Sequence, residues 1–241
     1  MMAKKIRVQE SPVVAPGTAV IKTRKKDQTI EYKTLKLFRH MARAVSPPPV
    51  LTVSEWADRY RKLSSESAAE PGQWNTDRAP YQRDIMDSIN DPMVEDIVIM
   101  SSAQVGKTEI ILNIIGFYID YDPAPILVVQ PTVTPMAQDF SKDRLATMIR
   151  DTPVLTGKVR DVKSRSSGNT ILHKTFPGGH VTIAGANSPS SLASRPVRIV
   201  LMDEVDRYPA SAGTEGNPIK LAEKRTTAFW NKKKIKVSTP T

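Results

Sequence analysis

The sequence predicts an α/β fold: a mainly parallel sheet covered by helices on both faces, preceded by a mobile basic extension. Three observations predict it. Short apolar runs alternate with helical patterns from residue 96 onward, a strand–loop–helix segment carries Gly106-Lys107-Thr108, and the acids Asp203 and Glu204 close a later apolar run. Strands that alternate with helices form a parallel sheet, because each parallel pair needs a crossover long enough to hold a helix. Ligands of such sheets sit at the carboxyl ends of the strands.

The chain has 241 residues, enough for one sizeable domain plus an extension at about 150 residues per domain. Hydrophobic residues make up 39%, which supports a core, and no apolar run reaches the roughly 18 residues of a membrane span. The basic start, Met1 to Arg7, is not followed by an apolar stretch, so no secretory signal is read. With no cysteine, disulfides and thiolate zinc sites are excluded, and the three histidines are scattered. The net charge is +10, of which residues 1–50 carry +8 through eleven Lys and Arg against three acids. That extension reads either as an arm that contacts nucleic-acid phosphates or as a solvated tail.

Residues 1 to about 30 carry no periodicity and two proline-containing stretches, which predicts a mobile segment. Tyr32 to Ala44 has loosely helical spacing (Leu35, Leu37, Phe38, Met41) and reads as a basic amphipathic helix for a partner, or as one packed on its own domain. Ser46-Pro-Pro-Pro49 is a stiff break, placing the boundary at residues 50 and 51. Thr52 or Ser54 caps a helix through Trp56, Ala57, Tyr60 and Leu63. Pro80-Tyr81-Gln82 opens a second, and the apolar run Glu109 to Tyr118 is a buried third. Ala124 to Thr132 is a strand, Thr134 to Ile149 a helix, and Thr170–Phe176 with Gly179–Ala184 a hairpin around Pro177-Gly178. Ala186 to Arg198 reads as loop, Val197 to Glu204 as a strand, Ile219 to Phe229 as a helix, and Lys234 to Thr241 as a last strand.

The chemistry starts at Asp96-Ile-Val-Ile-Met-Ser101-Ser102-Ala103-Gln104-Val105-Gly106-Lys107-Thr108. An apolar strand running into a small-residue loop, then Gly-Lys-Thr and a helix, is the context of a phosphate-binding loop. Successive backbone N–H groups and the first helical turn face the β- and γ-phosphates. Gly106 lets the backbone approach, Lys107 neutralises charge, and the Thr108 hydroxyl is a ligand for Mg²⁺. The departure is Ser101, where the general pattern has glycine. Opposite the loop, Asp203 would hold Mg²⁺ and Glu204 would orient and deprotonate the water that attacks the γ-phosphate. Gln130-Pro131-Thr132 and Ser238-Thr239 end two further strands.

From Leu51 to Thr241 the chain resembles the ATPase domain of the tailed-phage terminase large subunit, lambda-like branch. The resemblance rests on Thr52–Asp58, Ala79–Met86, Ser101–Thr108, Ser194-Arg195-Pro196 leading into Leu201–Asp206, and Ser238-Thr-Pro-Thr241. It implies a P-loop NTPase of the ASCE, RecA-like class that uses ATP and Mg²⁺, in which the missing first glycine is tolerated. It implies that Tyr81 and Gln82 pack on the adenine, with the Gln82 amide reading its N6/N7 edge. Ser238 and Thr239 fall on the coupling motif that senses the γ-phosphate. Arg195 falls where related motors place an arginine finger, against which stands an ordinary loop arginine. Gln104 stands where many relatives carry an arginine.

The resemblance further implies a DNA-packaging motor: a ring of copies on the procapsid portal protein that drives double-stranded DNA inward, recruited through the small terminase subunit. The setting would be the bacterial host's cytoplasm, with no membrane partner. The family's C-terminal nuclease uses an acid cluster that is not found after the coupling motif, so no DNA cleavage is expected of this chain, which reads as a fragment or a split product. Two alternatives remain. Asp203-Glu-Val-Asp206, Ser238-Thr239 and Gln82 imitate helicase signatures, and a catalytically silent nucleotide-binding assembly module would carry the same loop.

Overall fold

The computed structural model describes residues 32–39, 41, 50–66, 70–159, 169–193 and 195–240. The expectations for residues 1–31 and for the break at 46–49 lie outside these residues. The chain divides into two units at Val50 and Leu51. In the first, residues 32–39 are helical (α1).

The second unit opens with α2 (Val53–Tyr60), whose start follows from its sequence. Thr52 accepts from the Glu55 N–H, and the Glu55 carboxylate accepts from the Thr52 N–H, a reciprocal cap that satisfies two otherwise orphan donors. A two-stranded antiparallel ribbon follows, β1 (Lys62–Leu63) with β2 (Gly72–Gln73), then α3 (Tyr81–Asp87). Next come β3 (Asp96–Met100) and α4 (Lys107–Asp120). Ile110 to Ile119 of α4 are all buried, the behaviour of a helix apolar on every side. It packs on α2 so closely that Gly116 faces the Trp56 ring, and Trp56 Nε1 donates to Asp120 Oδ2 at 2.8 Å.

After β4 (Ile126–Gln130) the expected single helix is not uniform. Val133–Ala137 and Phe140–Leu145 wind in wide π turns before α5 (Ala146–Asp151), and Thr134 is extended. A residue that precedes proline is disfavoured in the helical region, as Thr134 does before Pro135. Then follow α6 (Pro153–Thr156), the antiparallel hairpin β5 (His173–Phe176) and β6 (Gly179–Gly185), a short α7 (Pro189–Leu192), and β7 (Ile199–Met202). The helix after β7 is shorter than its periodicity suggests. It is α8 (Pro218–Glu223), capped by Asn217, with a 3₁₀ turn at Lys224–Thr226. Strand β8 (Lys233–Ser238) ends the described fold.

The main sheet runs β3-β8-β7-β4-β6-β5, parallel throughout except for the β6–β5 edge. It is α/β, as expected. Alternate residues of β4 point to opposite faces: Ile126 and Val128 join the core under α2 and α4, whereas Leu127 and Val129 join a second cluster with Leu192 and Ala222. Burial on both faces explains the run of branched apolar residues. Along β3 the second face is open, leaving Val98 and Met100 exposed at 69% and 72%. On the adjoining β8 it carries Lys234 and Lys236, both paired with Asp96. Among the described residues no helix is long and apolar enough to cross a membrane.

Candidate functional site

The loop between β3 and α4 takes its shape from two left-handed residues, Gln104 (φ 63) and Gly106 (φ 81). At Gly106 a side chain is excluded twice over, because its Cβ would lie 2.5 Å from Gln82 Nε2. Ser101 is not left-handed, so serine at the position where the general pattern has glycine carries no backbone strain. Its N–H continues the sheet by donating to the Ser238 carbonyl at 3.3 Å. The Lys107 ammonium folds back over the loop, donating to the carbonyls of Ser101 at 2.8 Å and Ser102 at 2.6 Å. From behind, Tyr81 Oη and Gln82 Nε2 both donate to the Val105 carbonyl, at 2.8 and 3.1 Å. Gln82 is buried, and its Oε1 has no partner.

Two strands away in the sheet, β7 delivers the acids. Asp203 is buried, with Gln130 Nε2 donating to Oδ2 at 3.2 Å and the Glu204 N–H to Oδ1 at 3.1 Å. Burial is the largest influence on its carboxyl and pushes the pKa up despite the Gln130 hydrogen bond. Glu204 turns out of the strand in a left-handed conformation (φ 49). Its Oε2 lies 3.0 Å from Arg207 Nη1, without hydrogen-bond alignment. The loop and the acids face one cleft of about 730 Å³, whose lining includes Ala103, Gln104, Gly106, Lys107, Thr108, Arg144, Asp203, Glu204, Arg207 and Thr239. Its size suits a nucleotide, and a cationic loop facing a buried carboxylate suits a polyphosphate bound with a divalent cation.

Comparison with known proteins identifies the family. Residues 68–241 match the model of the family described as phage terminase large subunit gpA, ATPase domain. The chain belongs to that family. The terminase large subunit of Enterobacteria phage P21 is 29% identical over 197 residues, covering 81% of this chain and 30% of its own length. That of Escherichia phage lambda is 28% identical over 207 residues, covering 84% and 32%. The chain thus spans about a third of the length of these relatives. The crystal structure of the HK97 bacteriophage large terminase is similar with a TM-score of 0.60, at 14% identity, over 78% of this chain and 38% of that one. At that identity the likeness speaks for the fold.

Within this terminase ATPase domain the predicted residues do not all converge. Lys107, Thr108, Asp203, Glu204 and Thr239 share the cleft. Tyr81 and Gln82 line a smaller slot of about 210 Å³ behind Gly106, with Leu63, Trp74 and Arg78. Arg195 is exposed and does not line the cleft. The groups that feel its charge are His173 and His180, on the hairpin at the sheet edge opposite β3. Burial chiefly lowers the pKa of both imidazoles, followed at His173 by Arg195 and at His180 by His173 and then Arg195. Ser194 and Thr241 lie outside the described residues.

Three residues of the site carried no assigned role in the sequence. Asp206 accepts from Ser238 Oγ at 2.7 Å and from the Thr239 N–H at 3.3 Å. Arg207 was detectable only as the neighbour of the acidic run. Arg144 reaches the cleft from the distorted helix after β4 and lies 3.8 Å from Glu109, a position that no local pattern announces.

Proposed function

We propose that the cleft binds ATP with Mg²⁺ and hydrolyses it, and that hydrolysis drives double-stranded DNA into a procapsid. The observation that carries the reading is the convergence of Lys107, Thr108, Asp203 and Glu204 on one cleft. Lys107 exchanges the Ser101 and Ser102 carbonyls for the β- and γ-phosphate oxygens. The loop N–H groups from Ser102 to Val105 and the N-terminus of α4 bind the same phosphates. The Thr108 hydroxyl and the Asp203 carboxylate hold Mg²⁺, which when bound supplies positive charge against the transferring phosphoryl group. Glu204 takes a proton from water as its oxygen bonds to the γ-phosphorus. The bond to the β–γ bridging oxygen breaks, and ADP leaves with phosphate.

The adenine occupies the slot beside Tyr81. With Gln82 Nε2 committed to Val105, its unpartnered Oε1 accepts from the adenine amino group. Ser238 and Thr239 report the γ-phosphate to the rest of the motor. Arg195, which does not line its own cleft, serves a neighbour's γ-phosphate in a ring on the portal protein. Residues 1–50 form a separate unit that docks the small terminase subunit or DNA, and the whole works in the host cytoplasm.

The direct test is binding of a fluorescent ATP analogue. Lys107→Ala abolishes it in this reading, and unchanged affinity sinks the assignment. Mixing Arg195→Ala with Glu204→Gln chains restores part of the turnover if Arg195 acts across subunits. A mixture as inactive as its components removes Arg195 from the site. Deleting residues 1–50 spares basal turnover and weakens DNA or partner recruitment, whereas an unfolded product would show the unit to be part of the core.

A further inference from the structure

Ser238 and Thr239 are adjacent, and the end of an extended strand sends adjacent side chains in opposite directions. Only one of the two can face the cleft. The cleft is lined by Thr239 and not by Ser238. Ser238 is instead held on three sides: β8 pairs it with Met100, its carbonyl accepts from the Ser101 N–H, and its hydroxyl donates to Asp206 Oδ1 at 2.7 Å. The same Oδ1 accepts from the Thr239 N–H at 3.3 Å. One carboxylate oxygen therefore grips the side chain of the first residue and the backbone of the second. Asp206 in turn lies two residues beyond Glu204, on the 3₁₀ turn Val205–Arg207 that leaves β7.

From this geometry we propose that Asp206 is a positioning residue that turns Thr239, and not Ser238, toward the γ-phosphate. The proposal rests on the reading of the cleft as an ATP site and divides the labour within it. Ser238 is the tether, joined to the phosphate loop through Ser101 and to the acid turn through Asp206. Thr239 is the contact: its hydroxyl donates to a γ-phosphate oxygen, while its N–H stays on Asp206. Because Asp206 and Glu204 share one turn, movement of Thr239 with the γ-phosphate also moves the segment that carries Glu204. Asp206 is exposed, so its two hydrogen bonds compete with water and add little to stability. Their effect is orientation. The Ser238 hydroxyl first, and the Thr239 N–H with it, lower the pKa of its carboxyl, so the grip persists at neutral pH.

The test measures affinity for fluorescent N-methylanthraniloyl ATP and ADP in the full chain, and takes the ratio of the two. An inactive or unfolded fraction lowers both affinities alike and leaves the ratio unchanged, so the readout survives a destabilised variant. Thr239→Val is expected to cut the preference for ATP over ADP by about ten- to hundredfold, the scale of a hydrogen bond to a charged group. Asp206→Ala, which removes the shared acceptor, is expected to lose a similar share, and the double variant to be no worse than Thr239→Val alone, because Asp206 acts only through Thr239. Ser238→Ala, which keeps the Thr239 N–H bond to Asp206, is expected to lose less. A ratio unchanged in Thr239→Val, a larger loss in Ser238→Ala, or additive losses in the double variant would each overturn the proposal. Lys107→Ala separates the two levels. If it still binds both nucleotides, the cleft is not an ATP site. If it binds neither while Thr239→Val keeps its ratio, the ATP site stands and the role of Asp206 and Thr239 falls.

Discussion

Arg207 holds its guanidinium 3.0 Å from Glu204 Oε2, so the acid proposed as general base meets a counter-charge from its own turn. The pair is solvent-accessible, and Arg207→Ala is expected to change stability by no more than about 1 kcal/mol. Arg207 also adds positive charge to the cleft beside Lys107, so its loss is expected to raise KM for ATP several-fold. Glu204→Gln is expected to keep nucleotide affinity and to lower turnover by about 10²–10⁴-fold. Steady-state kinetics beside thermal melts separate the two effects. Normal turnover by Glu204→Gln would move the base elsewhere.

Asp203 predicts a pH-dependent stability of definite sign. Its pKa is raised in the folded chain, chiefly by burial, so the folded state holds the proton more tightly than the unfolded state. Stability from this group is present at acidic pH and is lost as pH rises from the ordinary aspartate range through the raised value. Asp203→Asn is therefore expected to melt higher than the parent at pH 8, with the gap closing toward pH 4. Adding Mg²⁺ with ATP should stabilise the parent and not the variant. A variant that melts lower at pH 8 would show that the Gln130 contact outweighs burial.

The buried end of the site depends on Arg61, which is 3% exposed and lies 2.8 Å from Glu109 Oε2 in the first turn of α4. Burial lowers the Arg61 pKa, and Glu109 opposes that shift. Glu109→Gln leaves the cation without its counter-ion and is expected to cost about 3–5 kcal/mol. Adding Arg61→Met removes the stranded charge and should recover much of that loss. Chemical denaturation of both variants decides it, and a double variant worse than Glu109→Gln contradicts the account.

Gly116 sits inside a helix, where alanine is intrinsically better by about 1 kcal/mol. Here the added Cβ would meet Trp56 Cη2 at 2.3 Å, and that ring is buried and pinned by its hydrogen bond to Asp120. Overpacking of this kind costs about 1–3 kcal/mol, so Gly116→Ala is expected to destabilise. A more stable variant would mean that α2 can move away from α4.

The local part of the site was legible because its chemistry is local. A phosphate loop is a run of consecutive residues whose own N–H groups form the cradle, so Ser101 to Thr108 mark a candidate for one at the end of an apolar strand. The Asp203-Glu204 ending and the alternation of strands and helices are equally contiguous, and they specify a parallel sheet with its ligands at the carboxyl ends. The capping box at Thr52 and Glu55 belongs with them, since its two partners are three residues apart.

Only the tertiary structure decided what depends on strand order. Periodicity says which faces of a strand are buried but not which strand lies beside it, and the order β3-β8-β7-β4-β6-β5 does the rest. It puts β8 between the loop strand and the acid strand, which lets Ser238 reach both Ser101 and Asp206. It puts the β5–β6 hairpin at the opposite edge, with Arg195 acting on His173 and His180. It also sets Gln82 behind the loop, where its Nε2 is spent on Val105. Each of these contacts joins residues far apart in the chain. Their energy comes from burial and hydrogen bonding that exist only once the sheet has closed, which a linear pattern of polar and apolar residues does not encode.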